Sequence, residues 1–214
     1  MRASTLTPKA DTRELLLMAA QKVFADKGYE GATVKELADA AGVNVSLVSY
    51  YFESKEGLYR TCLEQFGRER LAAAERVLKP AESPEDFRVR LRLFVEEVLY
   101  SHTEQAELSM IVQREHNADL SPIRELWRNV FGKIFLTLFG FVAHAQKTGL
   151  IRADIDPHAT CVLFFGSLMN LSRVDTLHNE LYGKTLSDPI YREQIANDAI
   201  KVFLTGALTQ SAAR

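Results

Sequence analysis

Apolar residues recur at helical rather than strand spacing from one end of the chain to the other. Leu15, Leu16, Ala19, Val23 and Phe24 follow the three-and-four spacing of a single helix face, and this run halts at Gly28, just after Lys27. Thr33 then stands three residues before Glu36, the capping-box signature in which hydroxyl and carboxylate each satisfy a backbone N–H left free at a helix start. Leu37, Ala38 and Ala41 give this second, short helix its inner face, and Gly42 ends it. Asn44 opens a third short helix that reaches Phe52. Ser54 caps a fourth, which begins at Lys55, carries Leu58, Cys62 and Phe66, and runs toward Leu78 before Pro80 stops it.

Beyond Pro80 the helices lengthen. Ser83-Pro84, Ser121-Pro122, Asp156-Pro157 and Asp188-Pro189 each put proline at the first helical position behind a capping side chain. The stretches that follow share no pattern, so these are helix-start chemistry and not the period of a solenoid. The most apolar window, Val130 to Ala145, is interrupted by Gly132, Lys133 and Gly140 and falls short of the roughly 20 residues a membrane span needs. It reads as a buried central helix. With no strand alternation anywhere, the expected fold is all-α: an N-terminal three-helix unit over residues 8–54, then a larger helical body over 55–214.

Composition narrows the class. A chain of 214 residues with 47% apolar and 25% charged positions is ordinary globular material, long enough to fold without disulfide or metal. The net charge of −2 gives no overall positive field, so an affinity for nucleic acid has to be carried by particular residues. Cys62 and Cys161 lie far apart without a Cys-x-x-Cys pattern, as expected of reduced thiols, and the N-terminal stretch lacks a signal-peptide apolar core. A cytoplasmic protein without membrane attachment is expected.

Residues 33–52 carry the informative stretch: two short helices separated by Gly42-Val43-Asn44, a helix-turn-helix pattern. Ala38 and Ala41 are small enough for close approach of the two helices, Val43 plugs the corner, and Val48 and Phe52, four apart, face inward. Val45, Ser46, Leu47, Ser49 and Tyr50 are left facing away. Phe24-Ala25-Asp26-Lys27-Gly28-Tyr29, Thr33, Ala41-Gly42-Val43, Tyr50-Tyr51-Phe52 and Ser54-Lys55-Glu56-Gly57-Leu58-Tyr59, taken in order, resemble the DNA-binding region of the TetR family of bacterial transcriptional regulators over about residues 12–60.

That resemblance implies a DNA-binding unit with a ligand-binding and dimerisation domain behind it, and it assigns roles. Thr33 would meet a phosphate and Lys35 a guanine edge. Val45, Ser46, Leu47 and Ser49 would read bases, and Tyr50, Tyr51 and Lys55 would lie against the backbone. Two positions depart from the pattern: Val45 and Glu53 stand where the family often has basic residues. Residues 1–60 hold eight Lys and Arg against eight Asp and Glu, so the unit is neutral; Arg2 and Lys9 would add charge from the arm.

In the body, the helix after Pro157 is apolar nearly all round, and the last helix, from Pro189, carries Ile195, Ala199, Val202, Phe203, Gly206 and Ala207. The resemblance implies that these two helices form a four-helix homodimer interface, and that the partner is a palindromic double-stranded DNA operator. It also implies an unidentified small-molecule effector. Candidates to line its pocket are Met110, Gln113, Arg114, His116, Trp127, Phe131, Phe135, Phe165 and Met169, alongside the reading of the same residues as ordinary core. No cofactor or metal site is expected: His102, His116, Glu104 and Glu107 form no tight ligand pair. Catalytic motifs are absent; Gly183-Lys184-Thr185 lacks the upstream glycine of a phosphate loop, and Asp175-Thr-Leu-His178 is a single carboxylate–histidine pair. The expected function is a sequence-specific transcriptional regulator, a repressor released by its ligand. The alternative is a helical adaptor that keeps the helix-turn-helix for protein contact.

Overall fold

Capping side chains set where each helix begins. In the computed structural model, which describes residues 11–116 and 123–207, the Asp11 carboxylate accepts from the Arg13 N–H at 3.2 Å and opens α1 (Thr12–Gly31). Regular geometry in α1 breaks at Gly28, whose φ of 72° and ψ of 174° leave one last turn beyond the kink. Thr33 and Glu36 form both bonds of the capping box that starts α2 (Val34–Ala41). Gly42, left-handed at φ 67°, closes α2, with its N–H on Asp39 and the Val43 N–H on the Ala38 carbonyl. Next come α3 (Ser46–Phe52) and α4 (Lys55–Val77), the latter capped by Ser54.

The predicted proline starts appear at α5 (Pro84–Glu104), α9 (Pro157–Arg173) and α11 (Pro189–Ala207), with Ser83 and Asp156 accepting N–H bonds at the first two. Ser121-Pro122 lies outside the described residues, as do Arg2 and Lys9. Between these run α6 (Ala106–His116), α7 (Arg124–Leu126) and α8 (Gly132–Lys147), with α10 (Asp175–Tyr182) after α9. Among the described residues no β-strand forms.

The apolar stretch at Val130–Ala145 belongs to a longer helix, because a π-helical turn, Trp127–Phe131, joins α7 to α8 and makes Arg124–Lys147 continuous over 24 residues. By length and hydropathy alone it would be long enough to span a bilayer. Its buried residues, however, are Leu126, Val130, Ile134, Leu138, Phe141, Val142 and Ala145, a stripe at helical spacing that packs on other helices of the chain. It is a core helix.

Two apolar cores result. The first gathers Leu16, Phe24, Leu37, Val48, Phe52, Leu58, Tyr59 and Phe66, and takes in Leu108 and Ile111 of α6 and Ile123, Leu126 and Val130. The buried face of α1 is Leu16, Leu17, Ala20, Phe24 and Ala25, one residue round from the predicted stripe, so Leu15 turns outward. The second core joins α5, α8, α9 and α11 through Phe87, Leu91, Leu138, Phe164 and Ile200. Each fully buried Leu or Phe contributes about 1.5–3 kcal/mol. Helix α4 belongs to both cores, with Leu58 to Phe66 in the first and Ala74 in the second, while Leu71 and Phe131 touch both. The N-terminal core therefore does not close at Phe52; it is seated on the body.

Candidate nucleic-acid interface

The outward face of α3 follows from what holds its inner face. Val48 is fully buried and Phe52 nearly so, in the core that α3 shares with α2 and α4. The Asn44 side-chain carbonyl accepts the Ser46 N–H at 2.9 Å and the Ser46 hydroxyl at 2.8 Å, which fixes the start of the helix. At 100° per residue, these anchors leave Val45, Ser46, Ser49 and Tyr50 exposed, with Leu47 and Tyr51 half-buried at the edge. Tyr50 is 78% exposed, and its ring meets that of Tyr51 edge-on at 4.9 Å.

The corner between α3 and α4 is unusually tight. Glu53 takes φ 68°, and it is the one non-glycine residue with positive φ among those described. The Ser54 N–H donates to the Phe52 carbonyl at 2.7 Å, and that same carbonyl oxygen would lie 2.0 Å from a Cβ at Gly57. Only glycine fits there. The Phe52-x-Ser-Lys-Glu-Gly wording is thus the steric specification of a bend that holds the exposed face of α3 at a fixed angle to α4.

Other predicted contacts sit differently. The hydroxyl of Thr33 donates to the Glu36 carboxylate at 2.8 Å, and its N–H does so at 2.9 Å. Lys27 donates to Glu36 at 2.6 Å, and with Thr33 it holds that carboxyl down at about 2. The start of α2 therefore already contains an anion, and Lys35 beside it is exposed. Lys55 does not stand free: its ammonium donates to the carbonyls of Tyr29 at 2.9 Å and Ala32 at 3.1 Å and lies 4.2 Å from the Tyr29 ring centre. It joins the end of α1 to α4. Arg13 is likewise drawn over the ring of Phe52, at 5.2 Å.

Of the nine candidate ligand residues, those whose side chains are described are divided among several contacts. Phe135 and Phe165 come together with Phe94, ring centres 6.2–6.4 Å apart, and Met169 packs on the same core. Trp127 lies 5.0 Å from Phe131 beside α4. Met110 is half exposed, Gln113 donates to Ser172 of α9 at 2.5 Å, and Arg114 reaches away to α1. The side chain of His116 lies outside the described residues. A cavity of about 140 Å³ between α1, α4 and the α5–α6 junction, and an open cleft of about 460 Å³ between α5 and α11, are lined by none of the nine.

His102 engages the Ser109 hydroxyl through Nδ1, and burial pushes its imidazole down to about 4. No group of three or more His, Cys, Asp or Glu side chains is placed to hold a metal among the described residues. Asp175, paired in sequence with His178, accepts instead from Thr185 and the Leu186 N–H, tying the loop to α10. Both cysteine thiols are buried and pushed up to about 12 by desolvation, as inert thiols should be.

Residues 16–62 match the family model described as bacterial regulatory proteins, tetR family. The chain is 30% identical over 118 residues to the probable HTH-type transcriptional regulator YttP of Bacillus subtilis (strain 168), covering 55% of this chain and 56% of that one. It is 24% identical over 156 residues to the HTH-type transcriptional repressor BepR of Brucella suis biovar 1 (strain 1330), covering 70% and 73%. Thus the match spans little more than half the length of the first relative. The fold is similar to that of the ketosteroid transcriptional regulator KstR2 of Mycobacterium tuberculosis, with a TM-score of 0.75 at 18% identity over 94% of this chain and 97% of that one.

Proposed function

We propose that this chain, which belongs to the TetR family of bacterial regulatory proteins, is a cytoplasmic, DNA-binding transcriptional regulator that acts as a homodimer and represses until a small molecule releases it. Its relatives are regulators, not enzymes. The observation that carries the reading is the exposed face of α3, Val45, Ser46, Ser49 and Tyr50, displayed on a corner that Gly57 and Glu53 make rigid. Hydroxyls donate to or accept from base edges, Val45 suits a thymine methyl, and Tyr50 with Tyr51 lies against the sugar–phosphate backbone.

One such helix offers too little contact for specific binding, so two must be displayed together, about 34 Å apart. The material for that pairing is on α9 and α11. Leu163 and Val202 are each 75% exposed, with Val162 and Ile190 alongside, an apolar surface that a second copy would cover. Release follows if ligand binding in the body favours a spacing of the two units that no longer fits successive grooves; a hundredfold loss of affinity needs only about 2.7 kcal/mol of differential binding.

Titrating the protein against fragments of its own upstream region, with fluorescence anisotropy as the readout, tests the reading. Selective binding to a palindromic fragment is expected, weakened about 10–100-fold by Ser49→Ala with Tyr50→Ala. Because both side chains are exposed, far-UV circular dichroism of the variant should be unchanged. Affinity that survives this double substitution would show that another face reads the DNA.

A further inference from the structure

Three successive residues of α6 face three different partners. The Gln113 amide donates to Ser172 Oγ on α9 at 2.5 Å. Arg114 reaches α1, where its guanidinium donates to the carbonyls of Phe24 at 3.2 Å and Ala25 at 2.9 Å. Glu115 is 6% exposed and accepts the Tyr59 hydroxyl of α4 at 2.6 Å. Turning about 100° per residue, a helix spreads three adjacent side chains over a little more than half of its circumference. Here that spread connects the body's α9 to α1 of the DNA-binding unit and to the start of α4, which packs in the same core as that unit.

The contacts on α1 and on the start of α4 are specific. Phe24 and Ala25 lie in the turn of α1 that precedes its kink at Gly28, where a cation is favoured by the helix dipole. The kink itself is fitted to the arginine: a Cβ at Gly28 would stand 3.1 Å from the Arg114 Nη1, and Gly28 holds φ 72°. Tyr59 is wholly buried, its ring 4.7 Å from Phe24 and 5.0 Å from Tyr29. Burial and the Glu115 carboxylate both push its ionisation up, so the phenol stays a donor to a buried charge, one of the stronger kinds of hydrogen bond.

We propose that α6 is a strut that fixes the angle between the DNA-binding unit and the body, with Arg114 and Glu115 as its two positioning contacts. This goes beyond the DNA-binding dimer proposed above and rests on it. The strut matters only when both units of a dimer must meet one DNA molecule, since a loosened unit keeps its reading face but loses its setting.

A comparison of two duplexes separates this role from simple support of the fold. One carries the whole palindrome from the upstream region, and the other has one half-site scrambled. Arg114→Ala and Glu115→Ala should each weaken the whole site by about tenfold while leaving half-site affinity unchanged. Glu115→Gln, whose carbonyl still accepts from Tyr59, should restore wild-type behaviour. Equal losses on both duplexes with a lowered melting temperature would mean that the contacts only support the unit, and the proposal would fall.

A second readout needs no DNA. Dyes at Asp39→Cys on α2 and Lys147→Cys at the end of α8, both exposed positions, report the unit-to-body distance by time-resolved energy transfer, because the native thiols are buried. Diluting the labelled chain into excess unlabelled protein leaves one labelled copy per dimer. Arg114→Ala should broaden the distance distribution, and an unchanged distribution overturns the strut. Wild-type protein that shows no DNA selectivity would end the functional reading, yet the distance measurement would still decide the role of α6.

Discussion

Gly57 shows how much a single position can carry. A methyl group there would sit 2.0 Å from the Phe52 carbonyl oxygen, with backbone on one side and backbone on the other, so neither can swing aside. Gly57→Ala should destabilise the protein by about 1–3 kcal/mol or more, lowering the melting temperature by roughly 2–4 °C per kcal/mol, and should abolish operator binding by tilting α3. Glu36 is the other residue whose neighbours set its behaviour. Lys27 and Thr33 hold its carboxyl at about 2 against 4.5 for the unperturbed group. The folded state binds this proton less tightly than the unfolded one, so the contribution is whole above about pH 4.5 and is lost as pH falls through about 2. Urea midpoints measured at pH 7, 4 and 2.5 should therefore fall less steeply for Glu36→Gln than for the wild type.

Among the elements, α3 and α4 divide the work. Seven residues give α3 little stability of its own, and it exists because Val48 and Phe52 are buried and Asn44 holds its first turn. Asn44→Ala should leave the rest of the fold intact while fraying α3, visible as faster amide exchange over residues 46–49 and weaker DNA binding. Helix α4 is long because it serves both cores. Any shift in the second core that moves its Ala74 end is carried to Tyr59 and Leu58 beside the DNA-binding unit. Its capped start at Ser54 and the Lys55 contacts with α1 make that end move as one piece with α1.

For the whole molecule, charge and symmetry set the expectations. Residues 1–60 balance eight basic against eight acidic groups, and of the basic ones Lys27 and Lys55 are turned to internal partners. Counterion release scales with phosphate contacts, so the slope of log affinity against log salt should have a magnitude under about 5, against roughly 5–9 for proteins making six to ten such contacts. Leu163→Glu with Val202→Glu places charges in the surface that the second copy would cover; sedimentation should then give one chain mass instead of two, with whole-operator binding lost. Persistence of the dimer would place its interface elsewhere.

Periodicity and end-capping residues set the starts of α2, α4, α5 and α9 by themselves, because both are local: the start of α9 needs only Asp156 and Pro157, and the recognition turn needs only Thr33, Glu36 and Gly42. Four of the five outward positions of α3 were legible for the same reason, since two buried residues four apart settle where the others point; Leu47 instead sits half-buried at the edge. Local pattern could not decide partners distant in the chain. Lys55 read as a contact to the DNA backbone and Arg114 as a pocket residue, and only packing turned them onto carbonyls in and just beyond α1, while the apolar run at Val130 was extended by a π turn that periodicity does not mark. Contacts such as Tyr59 with Glu115, 56 residues apart, exist only once the helices are assembled, because it is burial that makes a phenol and a carboxylate seek one another.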